Sequence, residues 1–263
     1  MAGTNRRKKI VEIIKEHGKI SCIDLSRIFK VTPETIRRDL AYLQDQGLLI
    51  RTPGGAAANI ELNLLSVELR KQEHFEHKLA IARKAASFIC DKDVIFLDAG
   101  TTVCLMCEFL PQDKEIFVVT NSAECISKLS DKENITLIAL GGILHRKTMA
   151  FTGEHAVNTL QSFAINKTFI SALAVSEKFG VLDSNADEAL LNRLSIEKAS
   201  KTFLLVDSSK FGKIAYINVC PIDFLSTIIT DSRLDAGIVD TLKELSLNVV
   251  IADADNPIPP TTF

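Results

Sequence analysis

The sequence predicts an α/β protein in two parts: a small N-terminal module of three helices and a β-hairpin, and a larger domain built on a mainly parallel sheet. Within residues 1–57, apolar residues recur at helical spacing and are followed by a Pro-Gly-Gly turn. From residue 77 to 263, short continuous apolar runs alternate with helical stretches, which is typical of parallel strands covered on both faces. A polar, charged segment at 58–76 separates the two patterns and is predicted to be a partly helical linker.

Length and composition fit one small and one large domain of an ordinary soluble protein. The chain has 263 residues, of which 46% are hydrophobic and 24% are charged. It contains no apolar run of the roughly 18 residues that a membrane span needs, and its charged N-terminus lacks the apolar core of a secretory signal. We therefore expect a cytoplasmic protein with no membrane partner.

The charge is distributed unevenly between the two parts. Residues 1–57 hold 11 Lys/Arg and 6 Asp/Glu, a net charge of +5, so the remainder of the chain carries −7 of the total of −2. A basic N-terminal part on an acidic body indicates that only the first part meets a polyanion.

The first two helices are predicted from apolar spacing and capping residues. Ile10, Ile13 and Ile14 lie on one face of a helix that Gly18 is expected to end. Ser21, with an acidic residue three positions later, is predicted to cap the second helix.

A third helix is predicted to begin at Thr32, with Pro33 in its first position and Glu34 in its first turn. Its buried stripe is Ile36, Leu40 and Leu43. Taken alone, such a segment is also typical of a solvated amphipathic helix. Its place after two capped helices and a short turn favours a helix that enters the major groove of DNA.

The third helix is predicted to end at Gly47, and a strand, a turn at 53–55 and a return strand follow. Three helices and a hairpin together describe a winged helix-turn-helix, with the basic residue Arg51 on the wing. The residues predicted to lie at the DNA are Ser21, Thr32, Glu34, Thr35, Arg37, Arg38, Arg51, Gly54 and Gly55.

Seven strands are predicted in the larger domain, at 94–97, 116–119, 135–140, 168–173, 203–206, 227–230 and 247–251. Five of them are followed by polar or small residues, in the segments 98–102, 120–122, 141–142, 207–210 and 230–231. Because the carboxyl ends of parallel strands meet at one edge of a sheet, these endings predict a single ligand pocket there.

The charges indicate how such a pocket would be divided. The N–H groups and hydroxyls of residues 100–102 suit a phosphate, whereas Asp98 would repel it and is better suited to accept hydroxyls or to brace the loop. Lys210 and Arg146 are candidate cations for the phosphate. The acidic segment 183–188 could bind sugar hydroxyls or transfer protons, or could be a solvated loop and helix cap.

Cysteine and histidine patterns predict neither a metal nor a cofactor. The six cysteines are scattered and mostly apolar in context, which is typical of reduced, buried thiols. Cys104 and Cys107 form the single CxxC pair, with no second pair to complete a zinc site. His74 and His77 are interpreted as part of a solvated helix face. No nucleophile elbow, zinc-helix pair or Walker loop is present, so no catalytic residues are predicted.

The motifs, taken in order, resemble the DeoR-type transcriptional regulators over nearly the whole chain, from about Arg7 to Val250. "VTPETIRRDLAYLQDQGLLIRTPGGA" is similar to that family's helix-turn-helix and wing, and "IFLDAGTT", "VVTNS", "ALGGIL", "FTGEHA" and "LLVDSSKFGK" are similar to successive motifs of its sensor domain. The resemblance implies a sensor domain similar in fold to ribose-5-phosphate isomerases and glucosamine-6-phosphate deaminases. It also implies a repressor of sugar or related catabolic genes that a phosphorylated metabolite releases.

Carried over position by position, the resemblance implies an effector site. Its residues are Asp98, Gly100, Thr101, Thr102, Thr120, Asn121, Gly141, Gly142, Gly153, Glu188, Asp207 and Lys210. Two segments depart from the family pattern: Pro53 stands where the wing commonly has histidine, and "ISALAVSEKFG" has fewer glycines than usual.

The expected partners are a double-stranded DNA operator, a phosphorylated sugar or related effector, and further copies of the chain, since helix-turn-helix proteins commonly bind two half-sites. Two other functions remain open. The first is a sugar-phosphate isomerase or deaminase that carries a nucleic-acid-binding appendage. The second is a redox-responsive regulator acting through Cys104 and Cys107.

Overall fold

The computed structural model describes residues 3–17, 19–45, 49–57 and 67–253. The chain forms two compact units, residues 1–64 and 65–263. The division falls inside the segment predicted as a linker, and the precise limits of that linker stay a prediction. Gly18 and Gly47, which were predicted to end helices, lie outside the described residues.

The first unit contains three helices and three short strands. They are α1 (Gly3–His17), β1 (Lys19–Ser21), α2 (Cys22–Phe29), α3 (Pro33–Asp45), β2 (Ile50–Thr52) and β3 (Gly55–Ala57). The strands form an antiparallel sheet in the order β1-β3-β2. The sequence did not predict β1, because a three-residue strand is too short to show an alternating pattern.

The core of this unit is formed by the apolar faces that the spacing predicts. Ile10 and Ile14 of α1, Leu25 of α2, and Ile36 and Leu40 of α3 are fully or almost fully buried together. Three helices followed by a β-hairpin confirm the predicted winged helix-turn-helix architecture.

The second unit alternates helices and strands. Its helices are α4 (Val67–Gln72), α5 (Phe75–Ala86), α6 (Thr101–Met106), α7 (Ala123–Leu129), α8 (Glu154–Gln161), α9 (Ala186–Lys198) and α10 (Ala236–Glu244). Its strands are β4 (Val94–Leu97), β5 (Ile116–Thr120), β6 (Ile135–Ala139), β7 (Ile143–His145), β8 (Ala150–Thr152), β9 (Ile165–Ile170), β10 (Ala174–Ser176), β11 (Gly180–Asp183), β12 (Ala199–Leu205), β13 (Ile217–Cys220), β14 (Thr227–Asp231) and β15 (Asn248–Ala252).

Seven of these strands form one parallel sheet, in the order β15-β14-β12-β9-β4-β5-β6. Each corresponds to one of the seven apolar runs, so the predicted mainly parallel α/β domain is confirmed. Side chains on one strand alternate between the faces: Leu97 packs with α5, α6 and α7, whereas Phe96 packs with α8 and α9. The sheet is therefore covered on both sides, as continuous apolar strands require.

The strand predicted at 168–173 lies three residues earlier, as β9. The strand begins with polar residues, so a search for continuous apolar runs does not detect its start. Asn166 accepts a hydrogen bond from the Val94 N–H, and Lys167 forms a buried ion pair with Asp93. It ends before Ser171, whose N–H donates to the Asp98 carboxylate.

Five shorter strands lie outside the parallel sheet. Strands β7 and β8 form an antiparallel hairpin, and β10, β11 and β13 form a small antiparallel sheet. Strands of three or four residues leave little pattern in the sequence, and none of the five was predicted. Within the part of the chain that the structure describes, no helix is long and apolar enough to cross a membrane.

Candidate DNA interface and candidate effector site

Helix α3 is fixed at its start by the residues that the sequence singled out. Thr32 Oγ1 accepts a hydrogen bond from the Thr35 N–H at 3.3 Å, which satisfies one of the backbone donors that a helix leaves unpaired at its first turn. Ser21 caps α2 in the same manner, accepting from the Asp24 N–H at 3.0 Å. The hydroxyls of Ser21 and Thr32 therefore hold the helix-turn-helix together, whatever further contact they make.

Asp39 joins α3 to the first helix. Its carboxylate is buried and lies 2.6 Å from Nε of Arg6 and 2.8 Å from Nε of Arg7. A buried carboxylate needs such partners, because an unpaired charge away from water is strongly unfavourable. Two of the N-terminal arginines thus orient the third helix from inside the unit.

The opposite face of α3 presents a charged patch to solvent. Arg37 and Arg38 are both exposed, and the Glu34 carboxylate lies 3.0 Å from Arg37 and 3.9 Å from Arg38. Exposed ion pairs of this kind are weak, so the arginines are available to exchange Glu34 for a phosphate or a base edge.

The wing is held by its central strand. β3 pairs with β2 on one side and with β1 on the other, and the Cys22 N–H donates to the Gly54 carbonyl at 2.8 Å. Gly55 is required at the start of β3, because a Cβ there would lie 2.2 Å from the Ile20 carbonyl oxygen. Gly54 has φ of +87°, which favours glycine. Arg51 is exposed on β2.

This geometry suits the insertion of α3 into a major groove with a basic wing beside it. The roles of the nine residues predicted to meet DNA stay predictions, since the structure describes the chain without nucleic acid.

In the second unit, the five polar strand endings lie on one edge of the sheet, as the parallel topology requires. The sequence missed a sixth. β9 lies between β12 and β4, and it is followed by Ser171, which was inside a predicted strand.

Asp98 is braced rather than free. Its Oδ2 accepts from the Ser171 N–H at 3.0 Å and from Ser171 Oγ at 2.8 Å, and its Oδ1 accepts from the Ala99 N–H at 2.6 Å. Burial raises the pKa of this carboxyl, and the hydrogen bonds from Ser171, Ala99 and Asn192 oppose that rise. Of the two roles predicted for Asp98, bracing the loop is the one that these contacts describe.

The contact between Asp98 and Ser171 also explains why residue 100 is a glycine. A Cβ at Gly100 would lie 1.8 Å from Ser171 Oγ, so any larger residue would displace the serine that holds Asp98. Gly100 caps α6, whose first residues, Thr101 and Thr102, are buried.

Thr120 and Asn121 follow β5 and have different surroundings. Thr120 Oγ1 donates to the Leu97 carbonyl at 2.7 Å and accepts from the Ser122 N–H at 3.0 Å, so this hydroxyl ties the ends of β4 and β5 together. Asn121 is buried, and its amide donates to the Phe151 carbonyl at 3.4 Å.

Glu188 lies in a cluster of polar side chains with Thr148 and His145. Its Oε1 accepts from Thr148 Oγ1 at 2.7 Å and lies 3.0 Å from Nδ1 of His145, and that nitrogen lies 2.8 Å from Thr148 Oγ1. Burial raises the pKa of Glu188 to about 7, and the nearby carboxylates of Asp183 and Asp98 add to the rise. Glu188 therefore faces inward, so the alternative that its segment is merely a solvated loop does not hold for this residue.

Asp183 belongs to the same acidic group. Burial raises its pKa, Asp98 adds to that rise, and Arg70 opposes it. Arg70 also lowers the pKa of Glu188. Clustered carboxyls with perturbed pKa values are typical of functional sites, and Asp183 begins the acidic segment 183–188 that the sequence left open as either hydroxyl-binding or solvated.

A second polar cluster surrounds Asp207 at the end of β12. Burial opposes ionisation of this carboxyl, but Lys210, Ser209, His74 and Lys78 together lower its pKa. Its Oδ1 accepts from Ser209, through both the N–H and the hydroxyl.

Asp231, at the end of β14, is also ionised and fully buried. Burial opposes this ionisation, but its pKa is lowered to about 2, chiefly by Arg233 and Ser208. Arg233 Nε donates to its Oδ1 at 2.9 Å, and the Ser208 N–H donates to its Oδ2 at 2.7 Å.

Four acceptor atoms among these buried side chains have no hydrogen-bond partner within the described residues. Asn121 Oδ1 and Asp207 Oδ2 belong to residues that follow strands, Thr230 Oγ1 belongs to the penultimate residue of β14, and Asn192 Oδ1 belongs to a residue that hydrogen-bonds to Asp98. Buried acceptors of this kind are normally satisfied, and a ligand rich in hydroxyl groups offers the donors that they lack.

The remaining predicted residues lie at the β7–β8 hairpin. Gly142 has φ of +125°, and a Cβ there would lie 2.3 Å from the Thr152 carbonyl oxygen; Gly153 has φ of +93° and caps α8. Gly141 and Arg146 are exposed. Of the two predicted cations, Lys210 lies beside buried Asp207, whereas Arg146 is on the surface of its hairpin.

One interpretation from the sequence needs correction. His77 does not lie on a merely solvated helix face, because its Nδ1 is 3.7 Å from Oδ1 of the buried Asp231. His74 is exposed, as expected, and its Nδ1 lies 3.4 Å from Arg233. Because His77 contacts Asp231, the start of α5 lies close to the end of β14, and no local sequence pattern predicts that contact.

The interpretation of the cysteines as reduced, mostly buried thiols is confirmed: all six are free, and all but Cys90 are buried. The thiols of Cys104 and Cys125 lie 3.3 Å apart, and the hydrogen bond between them together with burial raises the pKa of Cys104. A high thiol pKa disfavours redox reactivity. Among the described residues, no group of His, Cys, Asp and Glu could hold a metal ion.

Sequence reasoning missed His145, Thr148, Ser171, Asn192 and Lys78. None follows a predicted strand end or belongs to a motif, so the signal that places them at the sheet edge is tertiary.

A winged helix-turn-helix followed by a parallel α/β unit with a polarised edge defines a DNA-binding transcriptional regulator with a sensor domain. Comparison with known families agrees: residues 6–61 match the DeoR-like helix-turn-helix domain, and residues 73–232 match the DeoR C terminal sensor domain. The chain belongs to the DeoR family of transcriptional regulators.

Individual relatives span nearly the whole chain. An uncharacterised HTH-type transcriptional regulator of Bacillus subtilis is 39% identical over 95% of this chain and 96% of its own. The glycerol-3-phosphate regulon repressor of Escherichia coli is 30% identical over 93% of this chain and 97% of its own. A ribose 5-phosphate isomerase of Methanocaldococcus jannaschii overlaps 51% of this chain and 53% of its own, with 21% identity and a TM-score of 0.38.

The relatives distinguish between the functions that the sequence left open. They are named as transcriptional regulators, so this protein is a regulator and not a sugar-phosphate isomerase or deaminase with a DNA-binding appendage.

Proposed function

We propose that this protein is a repressor of sugar or related carbon-metabolism genes, and that a phosphorylated sugar metabolite binds its second unit and releases it from DNA. The first unit supplies operator binding, with Arg37 and Arg38 of α3 at the bases or phosphates and Arg51 at the backbone. Helix-turn-helix proteins commonly bind two half-sites, so we propose that a homo-oligomer is the active form.

The effector proposal rests on one observation: several buried oxygen atoms near the C-terminal ends of the parallel strands have no hydrogen-bond partner among the described residues. Hydrophobic ligands would leave them unsatisfied, at a cost of about 1–3 kcal/mol for each buried group. A polyhydroxylated ligand supplies O–H donors to Asn121, Asn192 and Asp207.

The charges support a phosphorylated ligand over a neutral sugar. Lys210 lies near the buried Asp207. Residues 100–102 form the start of α6, where backbone N–H groups are suited to an anion. The acidic group Asp98, Asp183 and Glu188 is suited to hydroxyls. The site therefore combines one anion-binding part with one hydroxyl-binding part. A relative named as the glycerol-3-phosphate regulon repressor has a name consistent with a phosphorylated effector.

Thermal unfolding in the presence of matched ligand pairs tests this function. Each phosphorylated sugar is compared with its unphosphorylated parent, because a ligand that binds only the folded state raises its stability. We expect at least one phosphorylated compound to raise the unfolding temperature of the second unit while its parent sugar does not. Equal responses to both members of every pair, or no response to any, would contradict the proposal.

A further inference from the structure

The β7–β8 hairpin of the second unit exposes several apolar side chains to solvent. Ile143 is 74% exposed, Leu144 is 37% exposed and Met149 is 36% exposed. Single exposed apolar residues are ordinary on a protein surface, whereas a group of them in one short segment is typical of an interaction site. The hairpin is therefore a candidate for contact with another molecule.

Strand β7 is also a free edge of its two-stranded sheet. It pairs with β8, and β8 in turn is held on its other side by the segment after β5, since the Phe151 N–H donates to the Asn121 carbonyl at 2.7 Å. Within the described part of the chain, no strand pairs with the outer side of β7. A free strand edge presents backbone N–H and C=O groups with which a strand of another chain can pair.

The two ends of the hairpin carry opposite charges, which indicates the nature of the partner. Arg146 and Lys147 are exposed at its turn, and Glu154 is exposed at its base, where α8 begins. The rise of a strand is about 3.3 Å per residue, so the two ends lie roughly 10 Å apart. Two copies of the hairpin that are related by a two-fold axis and paired through β7 run in opposite directions, so the turn of each lies beside the base of the other. The hairpin is therefore complementary in charge to a second copy of itself.

From these observations we infer that β7 pairs with β7 of a second copy of the chain in an antiparallel, two-fold symmetric interface. Ile143 and Leu144 lie at its centre, and the basic turn of each copy lies beside the acidic base of the other. The inference rests on the proposed function, which includes a homo-oligomer, and adds to it the surface through which two copies meet and the symmetry of that contact.

A hairpin that is merely solvated makes a different prediction. In that case Ile143 and Leu144 are incidental surface residues, and the charges at the turn keep β7 from pairing with other chains, as charged residues do on many edge strands. A charged residue in place of Ile143 would then leave the self-association of the protein unchanged.

The first test measures the dissociation constant for self-association of the full-length protein by sedimentation equilibrium. Ile143→Asp is compared with the wild type and with Ile214→Asp, which changes an apolar residue that is 67% exposed outside the hairpin. We expect Ile143→Asp to raise the dissociation constant at least about tenfold, because a symmetric interface contains the substitution twice and would bury an unpaired carboxylate each time. Ile214→Asp should leave the constant unchanged.

A charge-reversal cycle tests the antiparallel arrangement in the same measurement. Arg146→Glu and Glu154→Arg should each weaken self-association, and the double variant should recover part of the loss, since opposite charges again face each other across the interface. Additive losses in the double variant would overturn the antiparallel arrangement.

The outcomes separate the inference from the proposed function. If the wild type associates and Ile143→Asp associates equally well, the inference is overturned and the proposed homo-oligomer stands. If the wild type stays monomeric at every concentration measured, the proposed homo-oligomer fails together with the inference.

Discussion

Glu188 Oε1 lies 3.0 Å from His145 Nδ1, so the start of α9 is joined to the β7–β8 hairpin through a titratable pair. Both residues are distant in sequence, and Thr148 bridges them through its hydroxyl. The contact gives the hairpin a fixed position beside the acidic group at the sheet edge. A ligand that bonds to Glu188 would therefore act on the hairpin as well.

Glu188 should make the stability of the second unit depend on pH. Its pKa is about 7 in the folded protein against an ordinary value of 4.5, so folding favours the protonated form. The stabilisation is complete below pH 4.5 and is lost as the pH rises through 7, by up to about 3 kcal/mol. Glu188→Gln stays neutral, so we expect it to match the wild type near pH 5 and to be more stable at pH 8.

Thermal unfolding of wild type and variant at pH 5, 6, 7 and 8 checks this difference. Glu197→Gln is the matched control, since Glu197 is exposed on the same helix and should change nothing. Parallel pH profiles for Glu188→Gln and the wild type would show that the carboxyl is not held protonated by burial.

Gly100 and Ser171 should behave as a coupled pair. Gly100→Ala places a Cβ 1.8 Å from Ser171 Oγ and 2.5 Å from its Cβ, so we expect a loss of at least about 2 kcal/mol of unfolding free energy. In a Ser171→Gly background the same substitution should cost much less, because both clashing atoms are gone. A double-mutant cycle in chemical denaturation measures the coupling, and strict additivity would argue against this packing.

Thr101→Val should separate effector response from DNA binding. The substitution keeps the shape of a buried residue at the start of α6 but removes its hydroxyl. We expect unchanged affinity for DNA and a loss of release by the phosphorylated ligand. Thr241→Val on α10 is the control and should respond as the wild type does. If Thr101→Val still releases normally, the hydroxyl has no part in the effector site.

Arg38→Ala should weaken DNA binding in a sequence-dependent manner. Arg38 is exposed on α3, and its nearest acidic contact is Glu34 at 3.9 Å. A base contact predicts a loss of about 1–3 kcal/mol on the preferred site and little on mismatched sites. Titrations at several salt concentrations measure this, with Lys201→Ala in the second unit as the control. A uniform loss with a shallower salt slope would identify Arg38 as a phosphate contact instead.

Elements with strong local signals were predicted well. The caps at Ser21 and Thr32 and the apolar stripe of α3 depend on residues a few positions apart, so the sequence contains the whole interaction. The seven parallel strands are continuous apolar runs, because both of their faces are buried. Because the strands are parallel, the polar residues at their C-terminal ends must lie on one edge of the sheet, and no further sequence signal is needed to predict this.

The parts that were missed depend on contacts between distant segments. Ser171 was counted as strand, but it leaves β9 to bond to Asp98, 73 residues away. Glu188 lies in the acidic segment that the sequence left open as either a ligand-binding group or a solvated loop and helix cap, and only its contact with Thr148 and His145 shows that it faces inward.

The most direct test of the account is the affinity of the full-length protein for DNA with and without a phosphorylated metabolite. A duplex selected from a random library by the protein itself serves as operator, and fluorescence anisotropy gives the dissociation constant. We expect the phosphorylated ligand that stabilises the second unit to weaken DNA binding by about 5–150-fold, the usual range for coupled sites, and its parent sugar to have no effect. Unchanged DNA affinity at saturating ligand would contradict the claim that this protein is a metabolite-released repressor.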